Sequence, residues 1–151
     1  MFLKSVGICL LGLTLSLLLV GVISGTPVRH AIQVVPALIA FLAVVRRTGW
    51  AVHAARPLFL FWLFIVLAIW LYLLDIANFV SGRFTPAEVM LTVVIGVSCL
   101  WGLVASFRVP SDPVVGHPAV AGRTRVVTWA GFALLQTAAL WVSLQPAFAQ
   151  R

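Results

Sequence analysis

Ionisable side chains are scarce in this chain, so those that interrupt apolar runs are the first candidates for chemistry. Asp75 stands in "WLYLLDIANF" (70–79), and only three of the 151 residues are acidic. A carboxylate in an apolar run of membrane length marks a place where protons, cations or polar ligands are handled, or where helices are joined. Tyr72 and Asn78 lie three residues to either side, so a helix through this stretch would carry Tyr72, Asp75 and Asn78 as one polar ridge. Tyr72 is the single tyrosine of the chain. Arg29, His30 and Gln33 open another apolar run, and Arg83 falls in the short link after Asn78. Brought to one bilayer face, these residues would form a layer in which Asp75 pairs with Arg29, Arg83 or protonated His30. The same layer could receive a lipid headgroup, a quinone or a proton.

Other chemistry is sparsely represented. There is no HExxH, GxSxG, Walker or dinucleotide-binding glycine pattern. The sequence therefore nominates no catalytic residue. Cys9 and Cys99 lie inside apolar runs and belong to no CxxC pattern, so they read as buried thiols and not as metal ligands. His30, His53 and His117 fall at run ends or in links, where they cannot ligate a haem held mid-membrane. No metal and no cofactor is called for. Glu88 has a local explanation: Thr85, Pro86 and Glu88 have the spacing of a helix start, with Thr85 as N-cap and Glu88 closing a capping box.

The elements that must position these groups are set by composition. Hydrophobic residues make up 63% of the chain and charged residues 9%, against about 25% charged in an average soluble domain. The mean hydropathy is +1.17. Five apolar runs are long enough for helical spans, at about 5–24, 30–46, 58–80, 87–107 and 126–144. All are too uniformly apolar for barrel strands. The net charge of +7 would suggest nucleic acid in a soluble protein. Here the basic residues sit at run ends, which fits topology determination, and nucleic acid is not a predicted partner. Lys4, the group Arg46, Arg47 and Arg56, and the group Arg108, Arg123 and Arg125 fall on one side. Only Arg29, Arg83 and Arg151 fall on the other. That imbalance predicts the N-terminus inside and the C-terminus outside. Arg46, Arg47 and Arg56, with Trp50 among them, are suited to lying on an anionic leaflet. Trp62, Trp101, Trp129 and Trp141 fall where interfacial belts would be. The first run reads as a retained helix rather than a signal peptide. "AFA" near the C-terminus reads as the end of a span rather than a processing site.

The expected fold is all-α: an integral membrane bundle of five transmembrane helices forming one domain. Small residues recur in it, among them Gly7, Gly12, Gly96, Ser98 and Gly102, and they allow close helix approach. In length, span number and tryptophan content the chain resembles the tryptophan-rich sensory family, but it has no W-x-P-P pattern and is not assigned there. The expected function is non-enzymatic: an accessory, scaffold or assembly subunit of a larger complex in the bacterial inner membrane. Its partners would be the lipid bilayer and other membrane subunits. The alternative is a small carrier or binding protein for a lipid, quinone or other hydrophobic ligand, built on the layer around Asp75.

Overall fold

A computed structural model describes residues 2–77, 84–109 and 122–148. Asn78 and Arg83, two members of the expected polar layer, lie outside the described residues, as do Asp112, His117 and Arg151. The described residues form five α-helices and no strand: α1 Phe2–Ile23, α2 Pro27–Val45, α3 Ala51–Leu73, α4 Pro86–Arg108 and α5 Gly122–Ser143. A turn of 3₁₀ helix, Pro146–Phe148, follows α5. All five α-helices are long and apolar enough to cross a membrane.

The helix boundaries depart from the apolar runs most at α3. The run suggests 58–80, whereas the helix spans Ala51–Leu73. At its start, "AVHAAR" is alanine-rich and favours helix despite its charge. Ala51, Ala54 and Ala55 are fully buried, which gives this turn a core-facing stripe. Pro57 reads as a boundary in sequence, yet it sits inside the helix. There it removes one backbone donor and the helix continues through it. At the far end Leu74 is the C-cap and Asp75 follows with φ 56°. The Ile76 N–H donates to the Leu71 carbonyl at 2.9 Å, and the Asp75 N–H donates to Tyr72 at 3.1 Å. This paired reversal is a Schellman motif with Asp75 in the left-handed position.

Two other helices stop the same way. After α1, Gly25 has φ 70°, with Thr26 bonded to Gly21 at 2.8 Å and Gly25 to Val22 at 3.2 Å. After α2, Arg47 has φ 51°, with Thr48 bonded to Ala43 and Arg47 to Val44, both at 3.0 Å. Glycine takes this conformation freely, whereas arginine and aspartate take it at a cost. The start of α4 is equally well made. The Glu88 carboxylate accepts from the Thr85 N–H at 2.7 Å and from its hydroxyl at 2.9 Å, while Thr85 Oγ1 accepts from the Glu88 N–H at 3.3 Å.

Helices α1 to α4 close an up-and-down ring in which each packs against the next and α4 returns to α1; α5 lies outside, in the groove between α2 and α3. Small residues set the close approaches. A Cβ on Gly12 would come within 3.1 Å of Ser98 Oγ, joining α1 to α4, and one on Gly7 within 3.2 Å of Val44, joining α1 to α2. Gly102 lies directly beneath the ring of Phe59, which is fully buried. The interior of the ring is apolar and centred on Leu10, Leu13, Ala37, Leu58, Phe59 and Cys99. Large apolar side chains also cover the outside, including Ile8, Phe64, Val97, Leu134 and Trp141, each more than 60% exposed. Trp62, grouped by sequence with an interfacial belt, stands at the middle of α3 and is only 4% exposed. The shift of α3 toward the N-terminus accounts for this change.

Candidate functional site

The side chains that could do chemistry divide among three places. The first is the end of α3. Asp75 lies beyond the helix, exposed, and its carboxylate has no hydrogen bond or ion pair to any described residue. Tyr72 and Asp75 therefore do not share a helix face, because α3 stops at Leu73 and the chain turns left-handed at Asp75. Asn78, the third member of the expected ridge, lies outside the described residues. Tyr72 packs its ring 6.1 Å from that of Phe84.

The second place is the link between α1 and α2. Ser24 Oγ and Thr26 Oγ1 are 2.8 Å apart, and Thr26 Oγ1 lies 3.3 Å from His30 Nδ1. His30 Nδ1 also meets the Thr26 carbonyl at 3.1 Å, as its protonated nitrogen would. The imidazole lies over Gly21, where a Cβ would be 2.7 Å from the Cβ of His30. His30 thus ties the turn and does not reach Asp75. Glu88 and Arg29 both lie within Coulombic range of it. Arg29 Nε is buried without a hydrogen bond.

The third place is a polar seam between α2 and α5 that sequence reasoning did not assemble. Gln33 faces α5 and not the end of α3. Its Nε2 donates to Ser143 Oγ at 2.8 Å. Gln136 Nε2 donates back to the Gln33 carbonyl at 3.2 Å. Gln136 and Ser143 are fully buried and Gln33 is 4% exposed. Pro36, one turn further along α2, has no N–H to bond the preceding turn, and neighbouring side chains commonly satisfy backbone groups that such a proline frees. The carbonyl that Pro36 frees is that of Ile32, four residues back, whereas Gln136 meets the adjacent Gln33 carbonyl. Gln136 Oε1 is buried without a partner. No protein-family model, no curated protein and no solved structure matches the chain. The seam is the strongest polar feature of the described interior, and it consists of neutral amides and a hydroxyl. It can orient helices and hold a water or a polar ligand atom at Gln136 Oε1, but it contains no titratable group. Among the described residues no three His, Cys, Asp or Glu side chains gather as a metal site.

At the opposite end, the basic residues separate. Arg46 and Arg47 are exposed where α2 stops. Arg56 turns onto the end of α4. Its Nη2 donates to the Ser106 carbonyl at 2.9 Å, and the guanidinium lies 4.5 Å from the centre of the Phe107 ring. A cation at the C-terminus of α4 complements the partial negative charge there. Sequence grouped Arg56 with Arg46 and Arg47 because only chain proximity was visible. Gln136 could have been found from its type alone: an amide in the middle of an apolar span needs a partner.

Proposed function

We propose that this chain is a non-enzymatic, multi-pass membrane protein that serves as an accessory, scaffold or assembly subunit of a larger complex. The observation that carries this reading is the placement of α5 outside a closed ring of four helices. Only Gln136 and Ser143 are buried on α5, against nine buried residues on α1. A helix held along one polar stripe, with its remaining apolar surface outward, offers that surface to another transmembrane helix. The Gln33–Ser143 and Gln136–Gln33 bonds keep it oriented without embedding it.

Membrane insertion itself draws support from the outward apolar surface. Monomers in water rarely expose contiguous apolar patches beyond a few hundred Å². The loop charges favour the N-terminus inside and the C-terminus outside, and the bacterial inner membrane is the proposed location. For a bilayer centred on the midpoint of α3, near Trp62, Asp75 would stand about 20 Å out at 1.5 Å per residue. Half the hydrocarbon thickness is about 15 Å. Asp75 would then meet headgroups, where a lone carboxylate is tolerated.

The alternative, a carrier or binding protein for a hydrophobic ligand, rests on Asp75, whose carboxylate has no partner among the described residues. It has less support because Gln33 and His30, which were to complete the layer, are engaged elsewhere. Purification of the full chain in mild detergent, with mass spectrometry of proteins and lipids, separates the two. A subunit co-purifies with stoichiometric protein partners. A chain that emerges alone and gains stability with a small hydrophobic ligand would overturn the subunit reading. Reporter fusions at each terminus test the orientation, and an outside N-terminus would contradict it.

A further inference from the structure

The end of the bundle where α3 and α5 begin joins an apolar groove to a basic cluster. The groove, about 420 Å³, is lined by Trp50, Thr128, Gly131, Phe132 and Leu135. The rings of Trp50 and Phe132 meet at 5.8 Å and floor it. Gly131 keeps it open, since a Cβ there would meet nothing within 4 Å. One turn from Trp50 on α3 is His53, and one turn before Thr128 on α5 is Arg125. His53, Arg56 and Arg125 lie within Coulombic range of one another. Arg56 is held in place by Ser106 and Phe107, which occupy one edge and one face of its guanidinium. Its Nε is buried without a hydrogen bond.

Charge is distributed unevenly along the bundle. The acidic side chains among the described residues, Asp75 and Glu88, follow α3 and open α4 at the opposite end. At the groove end, the described charges of Arg46, Arg47, Arg56 and Arg125 are all positive. We propose that this groove binds an anionic glycerophospholipid, with an acyl chain along Trp50, Gly131, Phe132 and Leu135 and the phosphate at His53 and Arg56, in the positive field to which Arg125 contributes. A guanidinium already fixed by a ring and a carbonyl loses little freedom on meeting a phosphate. A tryptophan at the mouth suits the headgroup boundary. The inference rests on the chain being membrane-embedded, and it adds a specific lipid to that reading.

The test uses the full chain, delipidated in a neutral detergent and titrated with dioleoyl phosphatidylglycerol or dioleoyl phosphatidylcholine. Binding is read by native mass spectrometry and by the shift in unfolding temperature. Phosphatidylglycerol should bind at least about tenfold more tightly, because both lipids bring a phosphate but the choline cation of phosphatidylcholine is repelled by the basic cluster. Gly131→Leu, which fills the groove at an open position, should abolish the shift without lowering the lipid-free unfolding temperature, since leucine favours helix over glycine. Arg56→Gln should erase the preference between the two lipids. Equal binding of both lipids, or Gly131→Leu without effect, would overturn the site while leaving membrane insertion intact. Recovery of the chain in the aqueous fraction without detergent would overturn both. A Gly131→Leu variant that loses a dimer or a protein partner, with no lipid preference in the parent, would reassign the groove to a helix and end the proposal.

Discussion

Asp75→Gly should stabilise the folded chain, and by more than Arg47→Gly. Both residues hold the left-handed position that ends a helix, at φ 56° and 51°. That conformation costs a residue with a side chain about 1–2 kcal/mol, somewhat less for aspartate. Glycine removes the cost but returns about 0.5–1 kcal/mol as extra freedom in the unfolded chain. The backbone gain is therefore about 0.5 kcal/mol in each case, slightly larger at Arg47. The charge contributions have opposite signs. The C-terminal end of a helix carries partial negative charge, so the carboxylate of Asp75 is repelled and the guanidinium of Arg47 attracted. Each effect is about 0.3–1 kcal/mol at an exposed end. Asp75→Gly then gains about 1 kcal/mol and Arg47→Gly changes stability little. The difference, about 0.5–1.5 kcal/mol, should shrink in high salt. Unfolding of the full chain in mild detergent, at low and high salt, measures both variants. A lower unfolding temperature for Asp75→Gly would refute the reasoning, because it would mean that the folded state draws stability from this carboxylate. Equal, salt-insensitive shifts for the two variants would refute the charge argument alone.

Gly102→Ala should destabilise by about 1 kcal/mol, because overpacking costs about 1–3 kcal/mol and alanine's helix preference returns about 1. Phe59→Leu in the same chain should relieve that cost, and a double-mutant cycle on unfolding free energies checks the coupling; independent effects would deny the contact between α3 and α4. Thr85→Ala removes the cap of α4 and should cost about 1 kcal/mol by the same unfolding measurement. Gln33→Leu should loosen α5, at a cost of about 0.6–2 kcal/mol. A cysteine pair across α2 and α5 would then crosslink more slowly than in the parent. Cys9 and Cys99 are free and buried, so a maleimide should label both only after unfolding, which mass spectrometry reads directly.

Legibility in the sequence follows the range of the interactions. Five apolar runs are visible because each helix needs its own supply of apolar side chains. The start of α4 is visible because Thr85, Pro86 and Glu88 act within four residues. The limits of α3 are not, because they depend on two competing signals. Pro57 and the basic residues argue for a loop, while the buried face of Ala51, Ala54 and Ala55 argues for helix and prevails. The stop at Asp75 is hidden because aspartate is an uncommon occupant of a position that usually takes glycine. The partnership of Gln33 with Ser143 spans 110 residues. Its two members can be suspected singly, but nothing local pairs them. Arg56 shows the same limit: chain proximity groups it with Arg46 and Arg47, but its bond to the Ser106 carbonyl on α4, 50 residues away, has no local signal.

The external position of α5 has a consequence for how the chain is made. It leaves the ribosome after the other four helices, and the groove that receives it is built from α2 and α3, which are complete by then. The four earlier helices can close their ring before it arrives, so its attachment is a separate and later event. That event depends on a few directional bonds, which are strong where water is excluded and weak where water competes. Dry surroundings should therefore latch the fifth helix, and wet ones release it while the ring persists.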